Sequence, residues 1–92
     1  MKKCIKLLFE VKDAQNILNS FILNQAQACH VEGVGQRIKD GMVQLYVCAQ
    51  EEQVDDFIDR LYLGTQDVQL YNIKIETSPS DRSYRGVFRI VE

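Results

Sequence analysis

The sequence predicts an α+β sandwich, in which an antiparallel sheet carries two helices on one face. Hydrophobic residues alternate with other residues in several short segments, and they recur at intervals of three and four residues in two longer ones. The length is a third observation, because 92 residues are enough for one domain and too few for two. Residues 1–92 are therefore expected to form a single domain.

These segments follow the order strand–helix–strand–strand–helix–strand, with one further strand at the end. In the first segment Ile5, Leu7 and Phe9 are every second residue, which places them on one face of a strand. Asp40 and Gly41 predict a hairpin turn between the second and third strands. The predicted strands are residues 4–11, 31–36, 42–49, 68–76 and 84–92, and the predicted helices are residues 16–30 and 51–63. This is the ferredoxin-like βαββαβ plan with a fifth, C-terminal strand.

The same periodicity predicts which side chains lie beneath the helices. The expected core residues are Ile5, Leu7, Phe9, Phe21, Ile22, Val43, Leu45, Val47, Phe57, Ile58 and Leu61. The face of the sheet away from the helices, here called the open face, is expected to carry Lys6, Leu8, Glu10, Gln44 and Tyr46. Its mixed polar and apolar character favours solvent or a modest contact, and hence a monomer.

The charge balance argues against a nucleic-acid partner. The formal net charge is −2, and the strand that would carry base-stacking aromatics in an RNA-binding domain of this plan has only Tyr46. Five carboxylates in the second helix are expected to form a solvated face rather than a cation site. These are Glu51, Glu52, Asp55, Asp56 and Asp59. No segment is long and apolar enough for a signal peptide or a membrane span, so no membrane partner is expected.

The cysteines predict neither a metal site nor a cofactor. Cys4, Cys29 and Cys48 are odd in number and widely spaced, and His30 is the single histidine of the chain. We expect buried free thiols, which are typical of a reducing compartment, and therefore a cytoplasmic location. His30 lies near the end of the first helix and is expected to cap it or to face solvent.

Several segments, taken in order, carry a resemblance to a known family. Residues 40–43 read DGMV, residues 51–65 read EEQVDDFIDRLYLGT, and residues 87–92 read VFRIVE. These resemble the DGxV hairpin, the acidic helix ending in FxxxLxxGP and the final FxI strand of acylphosphatases, with Thr65 in place of the proline. The resemblance implies the fold described above and the hydrolysis of carboxyl-phosphate anhydrides without metal or cofactor.

In that family a loop with a sequence close to VQGVGFR follows the first strand. Its backbone N–H groups and arginine hold the phosphate, and an asparagine of the second strand orients the attacking water. A gap-free alignment implies an anion-binding loop made of Asp13, Ala14, Gln15, Asn16, Ile17 and Leu18. It places Asn19 at the arginine position and Arg37 at the asparagine position, so these two residues are the catalytic candidates. Both loop glycines are absent, and the carboxylate of Asp13 would oppose an anion.

A second segment resembles the phosphate loop more closely. Residues 31–37, VEGVGQR, match VQGVGFR at five of seven positions. A turn and a strand follow this segment, so the helix N-terminus that a phosphate loop requires is missing there. We therefore predict a strand and not a phosphate cradle at residues 31–37.

Two functions follow from the resemblance. The first is an acylphosphatase-like domain whose hydrolysis is lost or much reduced, and which binds phosphate, another small anion or a protein. The alternative is an active acylphosphatase with a rearranged site that uses Arg37 and Asn19.

Overall fold

A computed structural model of the chain describes residues 2–39, 41–64, 68–77 and 85–91, and only the backbone of Gln15. The strands are β1 (Lys2–Glu10), β2 (Glu32–Lys39), β3 (Met42–Gln50), β4 (Tyr71–Thr77) and β5 (Phe88–Val91), and the helices are α1 (residues 14–28) and α2 (Glu51–Leu63). This order confirms the predicted plan. The loop predicted at residues 78–83, the turn residue Asp40 and the family's proline position, Thr65, lie outside the described residues.

The five strands form one mixed sheet in the order β4-β1-β3-β2-β5. All neighbouring pairs are antiparallel except β2 and β5, which run parallel, so the prediction of a fully antiparallel sheet was wrong in this detail. β4 begins at Tyr71 rather than at residue 68 because Tyr71 lies opposite Glu10, where β1 ends. The pairing of β4 with β1 therefore begins at Tyr71.

Helix α1 begins two residues earlier than predicted and contains a π turn. Residues Leu18–Ile22 form this turn, in which the N–H of Leu23 donates to the carbonyl of Leu18. The helix ends as His30 adopts a left-handed conformation with φ of 58°. The N–H of Val31 then donates to Ala26 O at 3.1 Å, which satisfies a carbonyl of the last turn.

Helix α2 has the predicted bounds, and local signals explain both ends. Gln50 and Gln53 form a capping box at its start, and Gly64 ends it with φ of 61°. Its carboxylates are exposed, as predicted for a solvated face, and Asp55 pairs with Lys3 of β1 at 3.1 Å. This ion pair ties the beginning of the helix to the sheet, although an exposed pair contributes little to stability.

The hydrophobic core lies between the two helices and one face of the sheet. Ten of the eleven predicted core residues are buried, and Ile58 is partly buried at the margin. On the open face Lys6, Leu8, Gln44 and Tyr46 are half-buried, and Glu10 is exposed. The alternation in β1 and β3 therefore predicted the orientation of both strands correctly.

The prediction of three free thiols was wrong. Cys4 and Cys48 form a disulfide, and Cys29 is the free cysteine, buried in the core. The two bonded residues lie directly opposite each other in the antiparallel pair of β1 and β3, with their Cα atoms 4.2 Å apart. Their separation of 44 residues in the chain conceals this proximity until the strand register is known. A reducing environment therefore cannot be argued from these two cysteines.

Replacing Phe57 tests the orientation of α2. Its side chain is fully buried and packs near the ring of Phe88, so Phe57→Ala should lower the free energy of unfolding by about 3–5 kcal/mol. Tyr62→Ala on the same helix is the control, because Tyr62 is 60% exposed and should change stability by less than about 0.5 kcal/mol. Urea unfolding followed by circular dichroism gives both values, and equal losses would contradict the placement of Phe57.

Candidate functional site

The candidate site lies where the connection between β1 and α1 meets the hairpin between β2 and β3. The connection is short, comprising residues 11–13. The N–H of Val11 donates to the carbonyl of Gly41 at 2.8 Å, which fixes the connection against the hairpin. Asp13 then adopts a left-handed conformation with φ of 57°, and the helix starts with the next residue. The whole turn from strand to helix is thus completed in three residues.

The segment predicted as an anion-binding loop is mostly helical. The carbonyl of Asp13 accepts a helical hydrogen bond from Ile17 N–H at 3.1 Å, and Asp13 Oδ2 accepts one from Asn16 Nδ2 at 2.8 Å. Ala14 and Leu18 are buried in the core, which holds this first part of the helix against the sheet. Of the predicted loop residues only Asp13 lies in a loop, while Ala14, Gln15, Asn16, Ile17 and Leu18 belong to α1. The sequence predicted the helix from residue 16, so the structure differs from the prediction at residues 14 and 15, where burial of Ala14 favours the helix. Whether the segment binds an anion stays a prediction.

Arg37 lies on the helix-covered face of the sheet, at the end nearest this connection. It is opposite Val43 of β3, which is opposite Phe9 of β1, and directly opposite residues of antiparallel strands share a face. Val43 and Phe9 are buried, whereas Arg37 is exposed at the margin. Its position is the one from which a side chain of β2 can approach the start of α1.

Asn19 lies on α1 in the π turn and is exposed. The preceding residue, Leu18, packs over Gly35 of β2, and Arg37 is the next residue on that face of the strand. Asn19 and Arg37 are therefore at the same end of the domain, on the two elements that face each other. Their roles in catalysis or binding stay predictions.

The second loop-like segment, residues 31–37, lies in and just before β2, as predicted. Its glycines serve packing. A Cβ at Gly33 would lie 1.8 Å from the carbonyl oxygen of Tyr46, and Gly33 also has φ of 152°. A Cβ at Gly35 would lie 2.9 Å from Leu45 Cδ2 and 3.2 Å from Leu18 Cδ2. The two glycines thus let neighbouring backbone and the first helix approach β2 closely.

Alanine at these two positions should have unequal effects. Gly33→Ala meets a backbone atom that cannot move aside, so it should prevent stable folding or shift the urea midpoint strongly. Gly35→Ala meets the ends of flexible side chains and should cost about 1–3 kcal/mol. Comparing the two urea midpoints checks this order, and a greater loss for Gly35→Ala would contradict the packing of β2.

A polar network that the sequence did not reveal joins the two helices. Cys29 Sγ donates to Asp56 Oδ2 at 3.4 Å, Arg60 Nε donates to the same oxygen at 3.3 Å, and Arg60 Nη1 donates to Gln25 Oε1 at 3.3 Å. Burial, followed by the hydrogen bond and the charge of Asp56, raises the pKa of Cys29 from 9.0 to about 11. The thiol is therefore protonated at neutral pH and is a weak nucleophile. Only the i, i+4 spacing of Asp56 and Arg60 was visible in the sequence.

This pKa predicts both the reactivity of Cys29 and a dependence of stability on pH. Since the folded pKa lies above that of an exposed thiol, the contribution to stability is complete below pH 9.0 and is lost as the pH rises through about 11. The difference in unfolding free energy between wild type and Cys29→Ala should therefore shrink over this range. Urea titrations of both proteins at several pH values measure it, and a constant difference would contradict the shift.

Thiol counting with a chromogenic disulfide reagent provides the accompanying control. The native protein should show no reactive thiol at pH 8, the unfolded protein one, and the unfolded and reduced protein three. Three thiols before reduction would contradict the Cys4–Cys48 disulfide.

A shallow depression of about 450 Å³ lies elsewhere, between β1, β3 and β4. It is lined by Leu8, Glu10, Met42, Asn72, Ile73 and Lys74. Asn72 Nδ2 donates to Glu10 Oε2 at its side, next to a bulge in the pairing of β1 with β4. Alternation in the sequence marked Leu8 and Glu10 as open-face residues, but only the register brings them beside β4.

Across residues 2–39, 41–64, 68–77 and 85–91, no cluster of three or more histidine, cysteine, aspartate or glutamate side chains could hold a metal ion. None of the helices in these ranges has the length and apolar character needed to cross a bilayer.

The fold and this end of the sheet define an acylphosphatase-like α+β domain. The family model for acylphosphatase matches residues 18–90, and the chain therefore belongs to the acylphosphatase family. The match begins within α1, so the connection at residues 11–13 and the first turn of the helix lie outside it. No curated protein matches the sequence of the chain.

Solved structures of low sequence identity share the fold. Acylphosphatase from Bacillus subtilis has a TM-score of 0.84 at 17% identity, with all of both chains covered. An acylphosphatase from Coxiella burnetii has a TM-score of 0.81 at 17% identity, with 98% of this chain and 93% of that chain covered. Full-length HypF, solved in a phosphate- and nucleotide-bound form, has a TM-score of 0.75 at 16% identity over 100% of this chain and 12% of its own. At these identities the likeness shows the fold alone.

Proposed function

We propose that this acylphosphatase-family domain has lost most or all acyl-phosphate hydrolysis and acts as a binding module for a small anion or a protein. One observation carries the proposal: α1 begins at Ala14, so helix occupies the positions that align with the family's glycine-containing loop. The match to the family model, which starts at residue 18, excludes most of the same segment.

A helix leaves only the N–H groups of its first turn open to an anion, because the later ones are bonded within the helix. A phosphate cradle requires several successive N–H groups that converge on one anion, and such a nest depends on non-helical backbone. Here the N–H of Ile17 is bonded to Asp13 O, and the helix is held in place by the buried side chains of Ala14 and Leu18. Losing a single preorganised donor costs roughly 10²–10³-fold in rate, so losing the nest removes most of the catalysis.

The charge at the start of the helix opposes a dianion as well. Asp13 is exposed there, and its carboxylate is oriented by the hydrogen bond from Asn16. A carboxylate about 4 Å from a phosphoryl group repels it by ~1 kcal/mol per unit charge in water and by more where water is excluded. Asp13 therefore weakens binding of phosphate at this point.

Arg37 is the group that supports anion binding. Its guanidinium can form a bidentate pair with a phosphate or a carboxylate, including the carboxylate of a protein partner. It is exposed at the margin of the helix-covered face, where β2 faces α1. The proposal requires no cofactor, no nucleic acid and no membrane. The cytoplasmic location stays a prediction, because the Cys4–Cys48 disulfide removes two of the free thiols on which it rested.

The alternative is an active acylphosphatase whose arginine and asparagine have exchanged places. The position of Arg37 favours this alternative, because Arg37 lies on the helix-covered face of β2, at the end of the strand that is near the start of α1. In this mechanism Arg37 would neutralise the phosphoryl group, and Asn19 would orient the water.

Hydrolysis of benzoyl phosphate separates the two functions. We expect wild type to be no faster than a buffer control. Exchange of the two side chains, Asn19→Arg with Arg37→Asn, should restore nothing because the N–H nest is still missing. Replacing residues 13–19 by VQGVGFR together with Arg37→Asn should restore measurable turnover, since donors, cation and water-orienting amide then coincide.

Arg37→Ala and Arg89→Ala form a matched pair for the alternative, because both arginines are exposed on the sheet and only Arg37 faces the start of α1. Robust wild-type turnover that is lost in Arg37→Ala and kept in Arg89→Ala would refute the non-catalytic proposal. Phosphate titrations followed by NMR on the same variants report anion binding independently of turnover.

A further inference from the structure

β4 is an edge strand of the sheet. Within the described part of the chain its neighbour is β1, on one side. In a strand that is paired on one side, every second residue directs its N–H and C=O groups away from the sheet, where another strand can bind them. The bulge at the β1–β4 pairing lies between Leu8 and Glu10, so the pairs from Leu8–Lys74 to Ile5–Thr77 form a regular stretch.

The side chains of β4 in this regular stretch are exposed in the described part of the chain. Ile75 is 40% exposed, although it lies on the helix-covered face opposite the fully buried Leu7. Lys74 and Glu76 are exposed on the opposite face, and no hydrogen bond or ion pair joins either side chain to the described residues. A lysine on an edge strand normally discourages the addition of another strand. Here Glu76 lies two residues from Lys74, so a second copy of the strand could place its own glutamate opposite this lysine.

We infer that β4 pairs antiparallel with β4 of a second copy of this chain, about a two-fold axis at Ile75. In this register Ile75 lies opposite Ile75, and Lys74 lies opposite Glu76 twice because the axis repeats the pair. Ile73 lies opposite Thr77 in the outermost pairs. Opposite residues of antiparallel strands share a face, so both ion pairs form on the open face and both isoleucines meet on the other.

The charges of β1 extend this arrangement. Lys6 lies opposite Glu76 in the pairing of β1 with β4. Across the dimer one row of side chains would therefore read Lys6, Glu76 and Lys74 of the second copy. The carboxylate of Glu76 has a lysine on each side, whereas a shift by one residue would place Glu76 opposite Ile75 of the second copy and expose both charges unpaired. Charge complementarity thus specifies a single register.

The interface is small. Five pairs along one strand bury less area than the ~1,200 Å² of a stable complex, so the dimer is weak and reversible. It differs from the monomer expected from the sequence, which concerned the open face and not this edge. It is also independent of the proposed function, because β1 and β3 separate β4 from β2, which carries Arg37.

Charge variants test the register by sedimentation velocity up to ~1 mM protein. Wild type should show a concentration-dependent monomer–dimer equilibrium. Lys74→Glu places glutamates opposite each other and Glu76→Lys places lysines opposite each other, so each variant alone should stay monomeric. An equimolar mixture of the two variants should form heterodimers. In these, the two glutamates of one variant lie opposite the two lysines of the other. Glu52→Lys, an exposed change on α2, is the control and should dimerise like wild type.

A wild type that stays monomeric at ~1 mM would overturn the inference and leave this edge to a strand of another protein. Dimers that persist in both single variants, or a mixture that remains monomeric, would overturn the register. If a charge variant fails to fold, Ile75→Cys decides, since two thiols at the axis are close enough for a disulfide. Oxidation should give a covalent dimer with Ile75→Cys and not with Leu63→Cys, which is 83% exposed on α2; equal yields would refute the axis.

Discussion

The contact between Leu18 and Gly35 determines much of this domain. Gly35 has no side chain, so the first helix packs close to β2, and a Cβ at this position would lie 3.2 Å from Leu18 Cδ2. Leu18 is 1% exposed, and Ala14, one turn before it, is 4% exposed. Burying both side chains favours a helix that starts immediately after Asp13. The packing of α1 on the sheet is therefore also the reason why the connection after β1 is short.

The packing of Leu18 and Ala14 against the sheet also bears on anion binding at the connection after β1. In this chain the helix starts at Ala14, directly after Asp13, and the connection after β1 comprises only residues 11–13. The core of this chain favours a helix here, and Leu18, Phe21 and Ile22 of the π turn are all buried. The stability of the helix thus opposes the backbone conformation that an anion nest would need.

Alternation and helical spacing predicted most of the fold because each signal is local. Neighbouring residues carry the signals for strands β1 and β3 and for helix α2. They also include the glutamines that cap this helix and Gly64, which ends it. The start of α1 could not be predicted in the same way. Asp13 and the following residues carry a weak helical pattern, and their state depends on Gly35, which lies far along the chain.

The other differences between the sequence prediction and the structure also depend on residues that are distant in the chain. The parallel pairing of β5 with β2, the late start of β4 and the disulfide between Cys4 and Cys48 all depend on which strands are neighbours. The sequence identified Arg37 and Asn19 only through an alignment. The structure has Arg37 on β2 and Asn19 on α1, and their roles stay predictions. The connection between β1 and α1 differs from the prediction by two residues, because α1 starts at residue 14 instead of residue 16.

The disulfide and the candidate site occupy opposite ends of β1 and β3. Cys4 and Cys48 form one cross-strand row with Glu32, whereas Phe9 and Val43 form another with Arg37. In the chain-entropy model a bridge across 44 residues stabilises the fold by about 4 kcal/mol, through the unfolded state. Because β1 and β3 are already paired along nine residues, the bridge adds little to the native geometry near Arg37. The conformation of the candidate site therefore depends on the packing of Leu18 and Ala14, and a change there would alter the site with the bridge intact.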